Sequence, residues 1–360
     1  MIIMEIYENV HVLDFSSLYP NLIRQMRLSP EHGYSDVYDN DPNHNLVIDK
    51  SEFTKEHGLL DSYITELLEL RNEYRNKGME SEQLAVKIIA NSVYGLLSQK
   101  TAKFVLGGTN IASTVTYAGR TILHTLVDIL PQYDITVVYG KTDSIFVISD
   151  IEDGNKILEI AQSCVNDIVK DITSFNNDYI RFDYEEFLSK FLVVNKNNYV
   201  KVYSDGHRKL KGASFYNTKS SQFDIDVTNH ILDNVISGNV YYKRDVSKLA
   251  HDFLKSKFNT KPLDYFAIKH KPRQNTVNKW DNVQYMREHD MDIEWNFYHN
   301  AVIADGTNNP FGVLVFPLGH EPDAELYHVN RKWLEDDIVK IINKMDFKDR
   351  TLQKTLDKFF

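Results

Sequence analysis

The sequence predicts an α+β fold in which an antiparallel sheet carries acidic side chains and amphipathic helices pack around it. Three observations predict it. Ile135–Tyr139 and Ser144–Ile148 are β-branched, apolar runs on either side of Gly140-Lys141-Thr142-Asp143, the pattern of a hairpin that raises Asp143 onto an exposed tip. Val10–Leu13 is a second apolar strand, ending at Asp14 before the chain bends through Ser16–Pro20. Residues 59–77, 81–97, 112–130 and 151–175 carry apolar side chains at helical spacing. Two strand-end carboxylates that face one another can hold a pair of hard divalent cations, an arrangement suited to in-line phosphoryl or nucleotidyl transfer.

Three phrases sharpen that chemistry. Asp14-Phe15-Ser16-Ser17-Leu18-Tyr19-Pro20-Asn21 resembles the first polymerase motif of family B DNA polymerases, Asp-x-x-Ser-Leu-Tyr-Pro-Ser. Lys87-Ile88-Ile89-Ala90-Asn91-Ser92-Val93-Tyr94-Gly95 resembles the second, and Tyr139-Gly140-Lys141-Thr142-Asp143-Ser144 the third, Tyr-Gly-Asp-Thr-Asp-Ser. They occur in the family's order, and Ser17–Glu31 is most similar to the replicative polymerases of T-even-type phages. The resemblance implies a right-hand polymerase with an antiparallel-sheet palm (1–54 and 100–212), helical fingers (55–99), a mostly helical thumb (213–345) and a tail (346–360). It also implies two magnesium ions, or manganese, on Asp14, Asp143 and the Phe15 backbone. One position departs from the family: Lys141 stands where its third motif has its first aspartate.

The overall composition is consistent with this. At 360 residues the chain suits two or three subdomains. A formal charge of −10 argues against indiscriminate coating of nucleic acid, while leaving room for a basic cleft. Cys164 is the only cysteine, which excludes an internal disulfide and fits a reducing compartment. Glu5 and Glu8 interrupt the apolar Met1–Met4 before a signal-peptide core forms, and no run approaches membrane-spanning length, so a cytoplasmic protein without a membrane partner is expected.

Met1–Pro20 reads as two short strands joined around Glu8-Asn9. By the resemblance, Ser17 and Leu18 meet the incoming triphosphate, and Tyr19 packs under the sugar, where a ribose 2′-OH would clash. No exonuclease signature such as Asp-Ile-Glu-Thr is present, and the chain starts almost where the palm does. The expectation is one half of a split polymerase, or a shortened form, with a separate chain supplying the N-terminal and exonuclease regions. Residues 31–51 are rich in His, Asp, Asn, Gly and Pro and read as loop.

The helices at 59–77 and 81–97 form a helical hairpin. Arg71 and Arg75 lie a turn apart, and Lys87 and Asn91 share a face, a set able to neutralise the oxygens of a nucleoside triphosphate. A solvated basic face is the plainer reading of Arg and Lys alone. The resemblance favours triphosphate binding and adds Tyr94, stacked near the nascent base pair, with Gly95 permitting close approach.

Gly107-Gly108 breaks the chain before the helix at 112–130, on which His124 reads as a packing or surface residue. Strands follow at Tyr179–Phe187 and Phe191–Tyr203. Asp183 and Glu185 match a family acidic pair, with Glu185 serving either a metal or a strand ion pair. Lys196 and Tyr199 match the ends of a basic motif whose middle is here Asn197-Asn198. Lys209-Leu210-Lys211-Gly212 resembles the family's Lys-x-Lys-Gly, whose lysines reach the primer-template backbone.

From Tyr242 to Trp280 the chain is basic, with Tyr265 and Phe266 among the charges: a solvated face, or, after a palm, a thumb surface that follows duplex backbone. Val313–Leu318 is a buried strand and Glu325–Met345 a closing helix. Gln353-Lys354-Thr355-Leu356-Asp357-Lys358-Phe359-Phe360 resembles the peptide that docks on sliding clamps, with Leu356, Phe359 and Phe360 on one side of a helical turn.

Two functions follow from the sequence. The first is a template-directed DNA polymerase subunit that uses primer-template DNA and deoxynucleoside triphosphates. The second is a catalytically weak or inactive scaffold that holds DNA and clamp for a partner, motivated by the cation at Lys141. An RNA-type palm enzyme is disfavoured by Tyr19.

Overall fold

A computed structural model of the chain describes residues 4–32, 48, 53–54, 56–99, 108–212, 215–272, 284–305, 313–323, 326–345 and 347. Two compact units result, one of Tyr7–Ser189 and the other of Met1–Ile6 with Lys190–Phe360.

The first unit is a sheet backed by helices. Strand β1 (Glu5–Phe15) leads into helix α1 (Leu18–Gln25), the hairpin of α2 (Leu59–Asn76) and α3 (Glu80–Leu97), and then α4 (Gly108–Ile129). The predicted β-hairpin follows as β2 (Ile135–Lys141) and β3 (Ser144–Ser149), then α5 (Gly154–Thr173) and β4 (Phe182–Asn195), which runs on into the second unit. β3 pairs antiparallel with β2 on one edge and β1 on the other, and β1 neighbours β4. Burial explains the sheet's place: Val10, Val12, Leu13, Phe15, Ile145, Phe146 and Val147 are all buried. Helices α4 and α5 close one core over it through Val115, Ala118, Ile122, Ile157, Ala161 and Val165. Asp153 caps α5 by accepting from the Asn155 N–H at 2.9 Å, and Asp61 accepts from the Gly58 N–H at 2.7 Å at the start of α2. Gly78, at φ +69°, turns α2 into α3.

In the second unit the end of β4 pairs with β5 (Asn198–Val202), which pairs with β6 (Arg208–Lys211). Helices α6 (Gln222–Ile236), α7 (Lys243–Phe258) and α9 (Arg331–Asn343) pack through Phe223, Val227, Ile231, Leu254, Ile338 and Ile342. Between α7 and α9 lie β7 (Ile268–His270), the short α8 (Gln284–Glu288), β8 (His299–Asp305), β9 (Val313–Phe316) and β10 (His328–Val329). β8 is the centre of that sheet, pairing with β7, β9 and β10.

The structure differs from the sequence reading at four points. β1 is one strand rather than two: Asn9 takes φ +55°, a local kink that a polar Glu8-Asn9 step mimics as a turn. The bend after Asp14 becomes helix α1, since Pro20 sits in its first turn and so removes no helical hydrogen bond. β4 is a single strand of 14 residues, not the end of one and the start of another. Strands β7, β8 and β10 interrupt a segment expected to be mostly helical, and α9 begins only at Arg331, where Asn330 accepts from the Trp333 N–H. Arg273, Lys279, Trp280, the tail at 346–360 apart from residue 347, and most of 31–51 lie outside the described residues. Among the described residues no helix is long and apolar enough to cross a membrane.

Candidate active site

The site lies within the first unit, where β1 meets the β2–β3 hairpin. Ser144 pairs with Asp14 of β1 on one side and with Lys141 of β2 on the other, so all three side chains share a face of the sheet. Two strand spacings put the Lys141 backbone roughly 10 Å from that of Asp14. The turn is only Thr142-Asp143. It is held on both sides: the Asp143 N–H donates to the Lys141 carbonyl, and the Asp143 carbonyl accepts from the Phe15 N–H at 2.6 Å. Thr142 sits at φ +29°, a conformation a β-branched residue adopts at a cost of about 1–3 kcal/mol. The turn's hydrogen bonds hold that strain in place.

Burial raises both carboxyls, and Asp143 adds to the rise of Asp14. Asp14 is raised from 3.8 to about 7, chiefly by burial, then by Asp143, Glu185 and Asp183, with Lys87 opposing. Burial also raises Asp143, against its backbone hydrogen bond, Lys87 and, least of these, Lys141. Burial therefore holds both carboxyls toward their protonated forms, and neighbouring carboxylates add to this at Asp14. Among the described residues no group of three or more His, Cys, Asp or Glu side chains is placed to hold a metal by itself.

Opposite the acids is a basic wall. Arg71 of α2 donates from Nη1 to Ser17 Oγ at 2.6 Å, and burial followed by Arg75 lowers its pKa. Lys87 and Asn91, one turn apart on α3, face the same cavity of about 810 Å³. Ser17, at φ +49°, precedes α1, so the first amides of that helix, Leu18 and Tyr19, lack intrahelical acceptors and make an electropositive edge. The Tyr19 and Tyr94 rings lie 4.6 Å apart, and Tyr19 packs beside Gly119 of α4, where an added Cβ would lie 3.5 Å from its ring. All eleven residues expected at the nucleotide and metal sites line this one cavity: Asp14, Phe15, Ser17, Leu18, Tyr19, Arg71, Arg75, Lys87, Asn91, Tyr94 and Asp143.

Several lining residues escaped the sequence reading. Gln83 lies one turn before Lys87 and accepts from Arg71 Nε at 3.5 Å; extending the Lys87–Asn91 stripe back four residues would have found it. Arg24 stacks over the Tyr179 ring at 3.9 Å and donates to Thr65 at 3.0 Å, which becomes legible only once 18–25 is known to be helical. Arg181 also lines the cavity; its carbonyl accepts from the Ser16 N–H, while Ser16 Oγ donates to Asp183.

The remaining expected residues belong to the second unit. Lys196 lies in the two-residue turn between β4 and β5. Tyr199 is buried, pairs with Lys211 across β5 and β6, and packs its ring 5.4 Å from Phe191. Lys209 pairs with Lys201, and Gly212 takes φ +117°. Gln353, Leu356, Phe359 and Phe360 lie outside the described residues.

The family model of DNA polymerase family B matches residues 4–261. The chain is 28% identical over 295 residues to DNA polymerase 1 of Saccharolobus solfataricus, covering 74% of this chain and 32% of that protein. It is 31% identical over 144 residues to DNA polymerase II of Escherichia coli, covering 39% and 18%. The chain thus spans about a third or less of these curated relatives. A family B DNA polymerase structure from Pyrobaculum calidifontis has the same fold, with a TM-score of 0.64 at 20% identity over 94% of this chain and 45% of that one. With its motifs gathered in one cavity and the family match covering most of its length, the chain belongs to DNA polymerase family B.

Proposed function

We propose that the chain is the polymerising part of a template-directed DNA polymerase, adding deoxynucleotides to a primer 3′-OH. The observation that carries this is one cavity in which paired acids face a basic wall. Asp14, Asp143 and the Phe15 carbonyl would hold two magnesium ions, or manganese. When bound, the ions would activate the 3′-OH and stabilise charge on the leaving pyrophosphate. The donor set fits: burial disfavours the ionised form of both carboxyls and neighbouring carboxylates add to this at Asp14, a cost that a bound divalent cation would relieve. Magnesium is also commonly held by one or two carboxylates, with substrate phosphates and water completing its shell. Arg71, Arg75 and Lys87 would neutralise phosphate oxygens, helped by the α1 amides and Asn91. Tyr19 would exclude a 2′-OH, and Tyr94 would support the base pair.

Lys141 motivates the second reading, a scaffold of low activity. At roughly 10 Å and an effective dielectric near 20, one such cation opposes a divalent ion by about 3 kcal/mol. That weakens metal binding without forbidding it, and Arg71, Lys87 and Asn91 still face the acids, so the polymerase reading is preferred. Lys196, Tyr199, Lys209, Lys211 and Gly212 would serve the primer-template, and Gln353, Leu356, Phe359 and Phe360 a sliding clamp. A separate exonuclease-bearing chain, a T-even-type phage relationship and a cytoplasmic setting complete the proposal. Primer extension with magnesium tests it beside Asp143→Ala and Lys141→Asp. Extension by the native chain that vanishes in Asp143→Ala supports the polymerase. Extension seen only in Lys141→Asp supports the scaffold.

A further inference from the structure

Arg24, in the last turn of α1, lines the cavity of the first unit, and three neutral groups fix its guanidinium there. It lies over the Tyr179 ring at 3.9 Å, donates from Nε to Thr65 Oγ1 at 3.0 Å, and reaches back one turn from Nη1 to Asn21 Oδ1 at 3.4 Å. Each partner is itself held. Thr65 Oγ1 donates to the Asp61 carbonyl at 2.8 Å within α2, and Asn21 Nδ2 donates to the Ser16 carbonyl at 2.6 Å. Gln25 ties down the segment that carries Tyr179: its Oε1 accepts from the Asp178 and Tyr179 N–H groups at 2.9 and 3.2 Å.

Stability alone does not call for this arrangement. A partly buried guanidinium is ordinarily matched with a carboxylate, because a desolvated charge without a counter-ion costs free energy. Asp178 and Asp183 also line the cavity, yet among the described residues Arg24 forms no ion pair, and its Nη2 meets no acceptor. The tyrosine face attracts the cation without neutralising it. The negative end of α1 would explain an arginine in the last turn. It does not explain a guanidinium turned back along the helix into the cavity.

Position along α1 indicates what this cation meets. Arg71 is anchored on Ser17, and Asn21 follows one turn later, its N–H donating to the Ser17 carbonyl at 3.0 Å. Arg24, anchored on Asn21, therefore stands roughly 5 Å farther along the helix than Arg71. With the reacting phosphate at the acids and the first α1 amides, the oxygens at this outer level belong to the end of the triphosphate.

We propose that Arg24 is a further phosphate-binding residue of this site, taking the terminal phosphate of the nucleotide and then holding the departing pyrophosphate. The inference rests on the polymerase reading and adds to it a residue that governs product release. As the primer oxygen bonds to the α-phosphorus, the bond from that phosphorus to the bridging oxygen breaks. Its electron pair stays on pyrophosphate and the hydroxyl proton passes to water, so negative charge rises where a preorganised guanidinium can receive it.

The test titrates deoxythymidine triphosphate, deoxythymidine diphosphate and inorganic pyrophosphate, each with magnesium, into the full chain. Arg24→Gln is expected to weaken the triphosphate and pyrophosphate about tenfold, the scale of one lost charge-assisted contact, and the diphosphate less than threefold. A misfolded variant would lose all three alike. Thr65→Val, which releases the guanidinium but keeps its charge, is expected to lose a smaller part of the same preference. A native chain that binds none of the three ligands contradicts the polymerase reading and this inference with it. Native binding with the preference for triphosphate over diphosphate unchanged in Arg24→Gln, or all three ligands weakened equally, overturns the assignment of Arg24 alone.

Discussion

Replacing Asp14 with asparagine should abolish activity and yet stabilise the protein at alkaline pH. The rise of Asp14 from 3.8 to about 7 means that the folded state keeps a proton the unfolded chain has released. Stability therefore falls as pH rises from about 4 to about 7, and the full loss applies above that range. At about 1.4 kcal/mol for each tenfold change in proton affinity, the whole shift would weigh about 4 kcal/mol. The carboxyl is only half-buried and borders an open cavity, so screening reduces this to about 1–2 kcal/mol. Asp14→Asn removes that cost while keeping the side chain's shape. Thermal unfolding at pH 8 should show a gain of about 1–3 °C for a chain of this length, falling to less than half at pH 5. Magnesium should raise the melting temperature of the native chain more than that of the variant, because ligands that bind only the folded state stabilise it. A destabilised variant at pH 8, or an equal gain at both pH values, would refute the reasoning.

Other variants probe separate parts of the site. Arg71→Ala should lower kcat/KM for nucleotide addition by about 10–100-fold, and Arg71→Lys should recover only part of it, because the guanidinium also holds Ser17. Steady-state kinetics with varied nucleotide would show this. Tyr19→Ala, which leaves a gap beside Tyr94, should raise ribonucleotide incorporation relative to deoxynucleotide, read by competition on one template. Gly212→Ala should destabilise the β5–β6 hairpin by about 1–3 kcal/mol, measured by denaturant unfolding, since φ is +117° and a Cβ would lie 2.6 Å from the Asn197 carbonyl oxygen.

How far the sequence could be read depended on how locally each feature is encoded. The β2–β3 hairpin was legible because its β-branched runs bracket a polar tip, and α2, α3 and α5 because their apolar stripes repeat at helical spacing. Helix α1 was hidden by Pro20, which looks like a stop signal but is tolerated in a first turn. β7 and β10 have three and two residues, too short for any periodicity, and exist because β8 offers both edges. Asp14, Asp143 and Lys87, which line the first cavity, stand in contiguous motifs, and Arg71 and Arg75 on one helix face. Arg24, Gln83 and Arg181 were not legible, because they reach the cavity from helix faces and a strand start that only tertiary structure aligns. In the second unit Lys269 and Lys271 fall in the basic stretch read at 242–280, but Lys219, Lys340 and Lys344, which line one cavity with them, come from separate segments that only tertiary structure aligns.

On the proposed function, the acids and bases of the first cavity act together on one metal-bound triphosphate. Titrating a deoxynucleoside triphosphate into the full chain, with and without magnesium, tests this most directly, since it needs no turnover. The prediction is binding that strengthens with magnesium, loses that dependence in Asp143→Ala and weakens in Lys87→Ala. Magnesium-independent binding, or binding indifferent to both substitutions, would contradict it.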